Sequence, residues 1–347
     1  MTEIIEKDTH IIDDDLLISA LRDDQLDLFR QEFMELHAYD QAQFFSKLEG
    51  DYRSRIYQYL SPQEMAEVFE NLEIDEEQYA EILSEMNPSY AADMLSHMSA
   101  DNAVDVMNEI DKEQAVSYLT IMDDEAAHEI KELLHYEEYT AGSIMTTEFI
   151  AIPENQTVRS AMQTLRKEAP EAEVIYYVYV IDDEKRLTGV ISLRDLIISD
   201  DDTMISEIKS ERVVAVSVGD DQEEVARTMK DYDFLAVPVV DFQNHLLGII
   251  TVDDIMDVMD EEASDDYSKL AGVSDMDRVD RNPLIAAKKR LPWLVILLFL
   301  GLVTASLISR FESALEQKAI LAIFIPLIGG MAGNSGTQAL AVAVRGL

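Results

Sequence analysis

Residues 251–277 read TVDDIMDVMDEEASDDYSKLAGVSDMD, ten acids against the single base Lys269. On a helix, Asp254, Asp257 and Glu261 share one face at i, i+3 and i+7, beside an apolar stripe of Val252, Ile255, Met256 and Met259. Like charges at that spacing cost a few tenths of a kcal/mol each while they stay in water. Meeting a second acidic surface costs far more, since two carboxylates at 4 Å repel by about 4 kcal/mol at an effective dielectric of 20. A cation between the surfaces removes that cost. Mg²⁺ suits the place, because it takes oxygen ligands, keeps several waters and is held by one or two carboxylates. The chain has no cysteine, no EF-hand loop, and six histidines (10, 37, 97, 128, 135, 245) that form no HxxH or HxxxH pair, so zinc-type sites have no support. The competing reading is a run of acids that is only a solvated face.

A second unusual stretch is IPLIGGMAGNSGTQALAVAV (325–344), where Gly329, Gly330, Gly333 and Gly336 stand among Asn334, Ser335, Thr337 and Gln338 inside an otherwise apolar segment. A lipid-facing helix gains nothing from these residues. Backbone leaving a helix at membrane depth survives where it is buried or lines an aqueous path. Glycines expose carbonyls there, and the polar side chains offer oxygens to a hydrated cation. Pro326 would loosen the helical ladder just before them. Close packing of helices through small residues is the plainer alternative.

The elements that would position these groups follow from charge and pattern. The chain has 347 residues and a formal charge of −43, and all but two of its 70 acids lie in 1–290, with 24 of its 27 basic residues. So acidic a body repels phosphate backbones, which excludes DNA and RNA as partners and favours cations. Cysteine-free composition permits a reducing compartment, and MTEIIEKDTHIIDDD lacks the basic and apolar regions of a signal peptide. LPWLVILLFLGLVTASLIS (291–309) is free of charge and long enough to cross a bilayer, and 319–344 is a second charge-free run. Arg281, Lys288, Lys289 and Arg290 precede the first span, whereas Glu312 and Glu316 offset Arg310 and Lys318 beyond it. The positive-inside rule then puts residues 1–290 in the cytoplasm, with Trp293 at the interface.

An apolar residue recurs every twelve positions from Leu36 through Leu48 and Leu60, then from Ile74 through Met86, Met98, Ile110 and Met122 to Leu134. Ser61, Asp75, Asn87, Ser99, Asp111 and Asp123 follow as helix N-cap types. Pairs of such units predict a small acidic α-solenoid, with an ordinary helical bundle as the alternative. After YEEYTAGSIMTTEF the texture turns β-rich. FIAI, EVIYYVYVI and LTGVISL, with helices predicted over 157–168 and 194–199, are followed by VVAVSV, FLAVPVV and LLGIITV, with helices over 221–231 and 253–262. Laying GVISLRD (189–195) on GIITVDD (248–254) gives an offset of 59 that also matches Val180 to Val239. Two tandem β-α-β-β-α units result, each sheet too small to stand alone and packed on its twin.

GVISLRD and GIITVDD resemble the end of CBS domains, here as a pair. The order of helical repeat, CBS pair, acidic helix and membrane spans resembles the MgtE family of magnesium channels and transporters, through YEEYTAGSIMT, IYYVYVIDDE, DQEEVARTMKDYDF, GIITVDDIMDV and GGMAGNSGTQ. The resemblance implies a multidomain protein: a tail (1–20), an all-α superhelical domain (21–138), an α/β CBS pair (139–200 and 201–260), a connecting or plug helix (261–290) and α-helical transmembrane segments (291–347). Family members carry five membrane helices with an acidic pore residue on the last, so a chain ending at Leu347 is expected to be a fragment.

The resemblance further implies Mg²⁺ ligands at Asp221, Glu223 and Asp233 in the second CBS unit, at Asp254 and Asp257 on the helix leaving it, and at Glu262, Asp265 and Asp266 towards the membrane. In the helical repeat it points to Asp101 and Asp105. Gly330, Asn334, Gly336 and Thr337 would line the pore. It implies ATP in the first CBS unit, where Ser192 can bond phosphate, Arg194 can neutralise it, Asp195 can accept from ribose hydroxyls and Tyr177 or Phe234 can stack on adenine; CBS cores also keep such residues without a nucleotide. In the second unit Asp253 replaces the Arg. The expected protein is a homodimeric, multi-pass Mg²⁺ transporter of the cell membrane, no enzyme, closed by bound Mg²⁺ at high cytosolic concentration. A membrane-tethered adenylate sensor acting on a partner protein, and an inactive scaffold, are the alternatives.

Overall fold

The computed structural model describes residues 14–72, 74, 76–170, 172–271, 283–311, 320 and 323–345. Asp75, Arg281 and residues 312–319 fall outside these, as does the side chain of Asp265. The chain divides after Val252 into two compact units.

Short helices fill the first part: α1 (Asp14–Arg22), α2 (Leu26–Met34), α3 (Ala38–Ser46), α4 (Gly50–Tyr59), α5 (Pro62–Phe69), α6 (Glu76–Glu85), α7 (Pro88–Ser96), α8 (Ala100–Asn108), α9 (Lys112–Ile121) and α10 (Asp124–Leu133). Several begin where the sequence supplies a cap. Ser61 forms a capping box with Glu64 behind Pro62, and Asn87 and Asp123 accept from the backbone N–H two residues on. Ser99 and Asp111 occupy cap positions without a side-chain cap bond. Ser99 instead donates its backbone N–H to Glu70 at 2.7 Å.

The twelve-residue repeat is the core. Leu48, Leu60, Ile74, Met86, Met98, Ile110 and Met122 are buried, while Leu36 and Leu134 at its two ends are half-buried. Helix α3 packs on α5, α5 on α7 and α7 on α9, with α4 on α6 and α8 on α10 in a second row. From α3 to α9 the odd-numbered helices each meet the next but one, which makes a superhelical stack and rules out the bundle. Charge is managed inside it. Arg53 is buried and bonds Glu81 and Glu85 at 2.7 and 2.6 Å, and Arg30 holds the Glu64 carboxyl down to about 2.

The α/β part comprises β1 (Ala151–Pro153), α11 (Val158–Glu168), β2 (Tyr177–Ile181), β3 (Leu187–Ser192), α12 (Leu193–Ile198), α13 (Ile205–Ile208), β4 (Val216–Ser217), α14 (Gln222–Tyr232), β5 (Ala236–Val240), β6 (Leu246–Thr251) and the start of α15 (Val252–Ala271). The strands form two sheets, β1-β2-β3 and β4-β5-β6, each with its first pair parallel and its second antiparallel. The predicted offset holds residue by residue. Tyr177 faces Ser192 as Ala236 faces Thr251, and both ladders shift register at matching places, Val180/Ile181 and Val239/Val240. Alternation along β2 sends Val178 and Val180 into the first unit's own core and Tyr179 to the other face. There Tyr179 and Leu187 meet Ala236, Val240 and Ile249 of the second unit, so the two sheets share a core, as expected of sheets this small.

The second compact unit holds the rest of α15, then α16 (Pro283–Ser309) and α17 (Phe324–Arg345). Among the described residues, Arg290–Ser309 is the one segment long and apolar enough to cross a membrane, with mean hydropathy 2.5. The glycine-rich stretch does not leave the helix. Residues 324–345 are continuously helical, and Pro326 sits in the first turn, where its missing N–H has no intrahelical partner to lose. The apolar stripe expected on α15 also differs, since Ile255 and Val258 are buried while Met256 and Met259 are exposed.

Candidate cation-sensing site

Helix α14 carries three of the expected ligands, at its two ends. Asp221 is its N-cap, accepting from the Glu223 N–H at 2.9 Å, and the Glu223 side chain accepts from Arg227 at 3.0 Å. Asp233 caps the other end in the left-handed conformation (φ 55°). Eleven helical residues span roughly 16 Å, so Asp221 and Asp233 cannot share one ion. On α15, Asp254, Glu262 and Asp266 are half-buried and Asp257 is exposed. On α8, Asp101 is half-buried in the first turn and Asp105, one turn on, is exposed. Among the described residues, no three His, Cys, Asp or Glu side chains stand close enough to hold one metal ion together. The expected ligands are therefore distributed over separate elements.

The structure does bring other acids together. Glu148, in the segment entering the first CBS unit, has its carboxyl pushed up to about 7 by burial, with Asp101, Glu173, Glu70 and Glu129 each pushing the same way. Glu70 lies at the end of α5, Asp101 on α8 and Glu129 on α10, so acids from three helices of the stack act electrostatically on Glu148 at the entry to the first CBS unit. Glu173 is tied there by its backbone N–H, which donates to the Glu148 carbonyl at 2.9 Å. Burial also raises the Glu70 carboxyl, against the pull of the Ser99 N–H and hydroxyl, and Glu129 is raised by burial and its acidic neighbours. Of these five acids only Asp101 was singled out by the sequence. A hydrated divalent ion can bridge carboxylates that act on one another in this way through its waters, without direct ligation by three groups.

The nucleotide constellation is partly assembled. Tyr177, half-buried, lies directly across the ladder from Ser192, which caps α12. Arg194 and Asp195 are exposed in the first turn of that helix. The Ser192 hydroxyl donates to the Asp195 carboxylate at 2.7 Å and accepts the Asp195 N–H at 3.1 Å. Four of the five residues thus cluster at one sheet end. Phe234 belongs to the second unit, where it stacks on Tyr232 with centroids 5.3 Å apart. In that unit Thr251 takes the place of Ser192 and is buried. Of the pore residues, Gly330, Asn334 and Thr337 share a face of α17 at i, i+4 and i+7, Gly336 lies beside them, and the Thr337 hydroxyl donates to the Gly333 carbonyl.

Comparison with known proteins agrees with this architecture. Residues 36–139 match the MgtE intracellular N domain, and 141–200 and 205–261 match the CBS domain. A magnesium transporter MgtE of Enterococcus faecalis is 64% identical over 332 residues, which is 96% of this chain and 73% of the relative. The magnesium transporter MgtE of Bacillus subtilis is 40% identical over 95% of this chain and 73% of its own length. Among solved structures, the soluble part of a magnesium transporter superposes with a TM-score of 0.69 at 58% identity, covering 72% of this chain and 98% of that one. The cytosolic domain of the Mg²⁺ channel MgtE in complex with ATP gives 0.67 at 38% identity, over 71% and 99%. Helical repeat, CBS pair and 64% identity over 96% of this chain agree, and the chain belongs to the MgtE family of magnesium transporters.

Proposed function

We propose that this chain moves Mg²⁺ across the cell membrane as a homodimer, with residues 1–290 on the cytoplasmic side serving as the sensor that sets when the path is open. The observation that supports the sensing role is the shared electrostatic effect of Glu70, Asp101, Glu129 and Glu173 on Glu148, which joins the helical stack to the first CBS unit. At high Mg²⁺, hydrated ions bridge these acids and the dispersed Asp105, Asp221, Glu223, Asp233, Asp254, Asp257, Glu262, Asp265 and Asp266, and the closed state is favoured. At low Mg²⁺ the carboxylates repel, the parts separate and the path opens. This is a population shift by a ligand that prefers one state, and it gives negative feedback on uptake. Entry is driven by the membrane potential, worth about 4.6 kcal/mol per divalent ion at 100 mV. Gly330, Asn334, Gly336 and Thr337 offer the polar face along the path.

A second ligand is supported by a separate observation. Tyr177, Ser192, Arg194 and Asp195 gather an aromatic face, a hydroxyl, a cation and a carboxylate at one sheet end, a set suited to adenine, phosphate and ribose. ATP in the first CBS unit is the reading they favour, as a modulator of the same sensor.

The test is limited proteolysis of the detergent-solubilised chain across a millimolar MgCl₂ series, with CaCl₂ and ionic-strength-matched NaCl alongside. Protection around 134–150 and 260–290 by MgCl₂ but not by NaCl is the expected result. Equal protection by NaCl would reduce the acids to a solvated face and move adenylate sensing to first place.

A further inference from the structure

The segment joining the helical stack to the first CBS unit is fastened to the second. The Tyr139 carbonyl accepts from the Gln222 N–H at 3.0 Å, and the Ala141 and Gly142 N–H groups donate to Asp220 and Val218 at 2.7 and 2.9 Å. Thr146, fully buried, exchanges two backbone bonds with Ile249 of β6, at 2.8 and 2.9 Å. Glycine makes this approach feasible. A Cβ on Gly248 would lie 2.6 Å from the Thr146 carbonyl oxygen, and one on Gly142 would lie 2.7 Å from the Tyr136 ring and 2.8 Å from Val218. The first unit shows the mirror arrangement. Val190, 59 residues before Ile249, bridges Ser210 in the segment entering the second unit, and a Cβ on Gly189 would meet Lys209 and Ser210. Each unit is thus clamped by the chain that leads into the other. The asymmetry lies downstream: β3 ends in the six-residue α12, whereas β6 runs without a break into the twenty-residue acidic α15.

We propose that residues 139–147 are the transmission segment of the sensor: bonded to residues 218–222 and, through Thr146, to β6, they pass displacement of the helical stack to the second CBS unit and α15 rather than to the first CBS unit into which the chain runs. The segment is a hydrogen-bonded coupling, whereas the acids acting on Glu148 supply the driving force. Tyr139, held at φ 64° where a side chain is strained, marks the point where the fastened run begins. The inference rests on the Mg²⁺-sensing reading and adds where its mechanical output is taken.

The absence of cysteine allows single labels to be placed at will in the full chain. A K112C/K167C dye pair reports docking of the helical stack on the first CBS unit, and an environment-sensitive dye on Y267C reports α15. In the otherwise wild-type chain both signals should change together as MgCl₂ rises. Gly248→Ala should leave the docking midpoint unchanged and raise the MgCl₂ needed for the α15 signal by about five-fold, the lower end of typical coupling between sites. Gly189→Ala, with its clash at the twin position, should leave the α15 midpoint where it was. Should Gly248→Ala fail to fold, Gly142→Ala loosens the same segment and carries the same expectation. An unchanged α15 midpoint in the Gly248 or Gly142 variant, or an equal shift in Gly189→Ala, overturns the proposal. So does an α15 signal that ignores MgCl₂ while docking responds, although the sensing reading then survives. A docking signal indifferent to MgCl₂ removes the sensing reading and this inference together.

Discussion

In the first CBS unit Tyr177 faces Ser192 across the ladder, and in the second Ala236 faces Thr251, with the same strand order, the same register shift and the same glycine under a crossing segment. The backbone plan is one plan used twice. The chemistry is not. Unit one presents a ring, a half-buried hydroxyl, Arg194 and Asp195, and its helix stops after six residues. Unit two has a methyl group, a buried hydroxyl, Asp253 and Asp254, and its helix continues as an acidic rod. Apolar alternation is enough to specify the fold, and it leaves the exposed sheet ends free to diverge. The proposed ligands follow that divergence, an anionic nucleotide at one twin and cations at the other.

The sharpest way to break that contrast is to exchange the charges. Arg194→Asp should cost ATP binding about 3 kcal/mol, more than a hundred-fold, by removing a charge-assisted contact and adding repulsion. Equilibrium dialysis with labelled ATP measures it. Asp253→Arg should confer no binding on the second unit, because Thr251 is buried and Ala236 offers no ring; a gain there would show that charge alone separates the twins.

Tyr177→Ala should weaken ATP by about ten-fold if the ring stacks on adenine, since base–aromatic stacking contributes about 1–3 kcal/mol. Titration calorimetry against GTP and ATP would also show whether the lost contact discriminates between bases. An unchanged affinity would remove Tyr177 from the site and leave it as packing between the sheets.

Where the twins share a plan they should fail alike. Val178 and Val237 are both fully buried at equivalent positions, and Val→Ala at either should lower stability by about 1.5 kcal/mol. Unfolding curves in urea that differ widely between the two variants would show that one sheet carries the shared core and the other rests on it.

A pH-dependent effect separates the entries to the two units. Glu148, beside the first, holds its proton more tightly in the folded protein, at about 7 against an ordinary 4.5. Without Mg²⁺, stability should therefore fall as pH rises from about 4.5 to about 7, with the full penalty standing above that range. Melting temperatures across this range follow it, and Glu148→Gln should flatten the slope. A slope unchanged in Glu148→Gln would place the titration on another group.

How much of this was legible in the sequence varies with the distance between the residues involved. The twelve-residue repeat announced the helical stack because each unit carries its own apolar residue, and Leu48 through Met122 fill the positions the period assigns. The offset of 59 foretold the register of both sheets, because strand pairing within each unit is local. Ser192, Arg194 and Asp195 were readable because they occupy one turn. Glu70, Glu129, Glu148 and Glu173 were not, since each stands alone in its segment and resembles any solvated acid. Pro326 was expected to loosen the ladder before the glycines and polar residues, yet 324–345 stay helical: a glycine in a helix costs roughly 1 kcal/mol, and a proline in the first turn costs little.

The sequence by itself determined the succession of domains, the twinned sheets, the apolar span at 290–309 and the acidic character of everything before it, because these follow from composition and short-range period. Only the tertiary structure decided which acids meet and which unit holds the incoming chain. Whether Glu148 faces Asp101 or water, and whether Thr146 pairs with β6 or with the strand it precedes, depends on contacts between residues far apart in the chain. No local pattern records such contacts, because their energy arises only when separately folded parts come together.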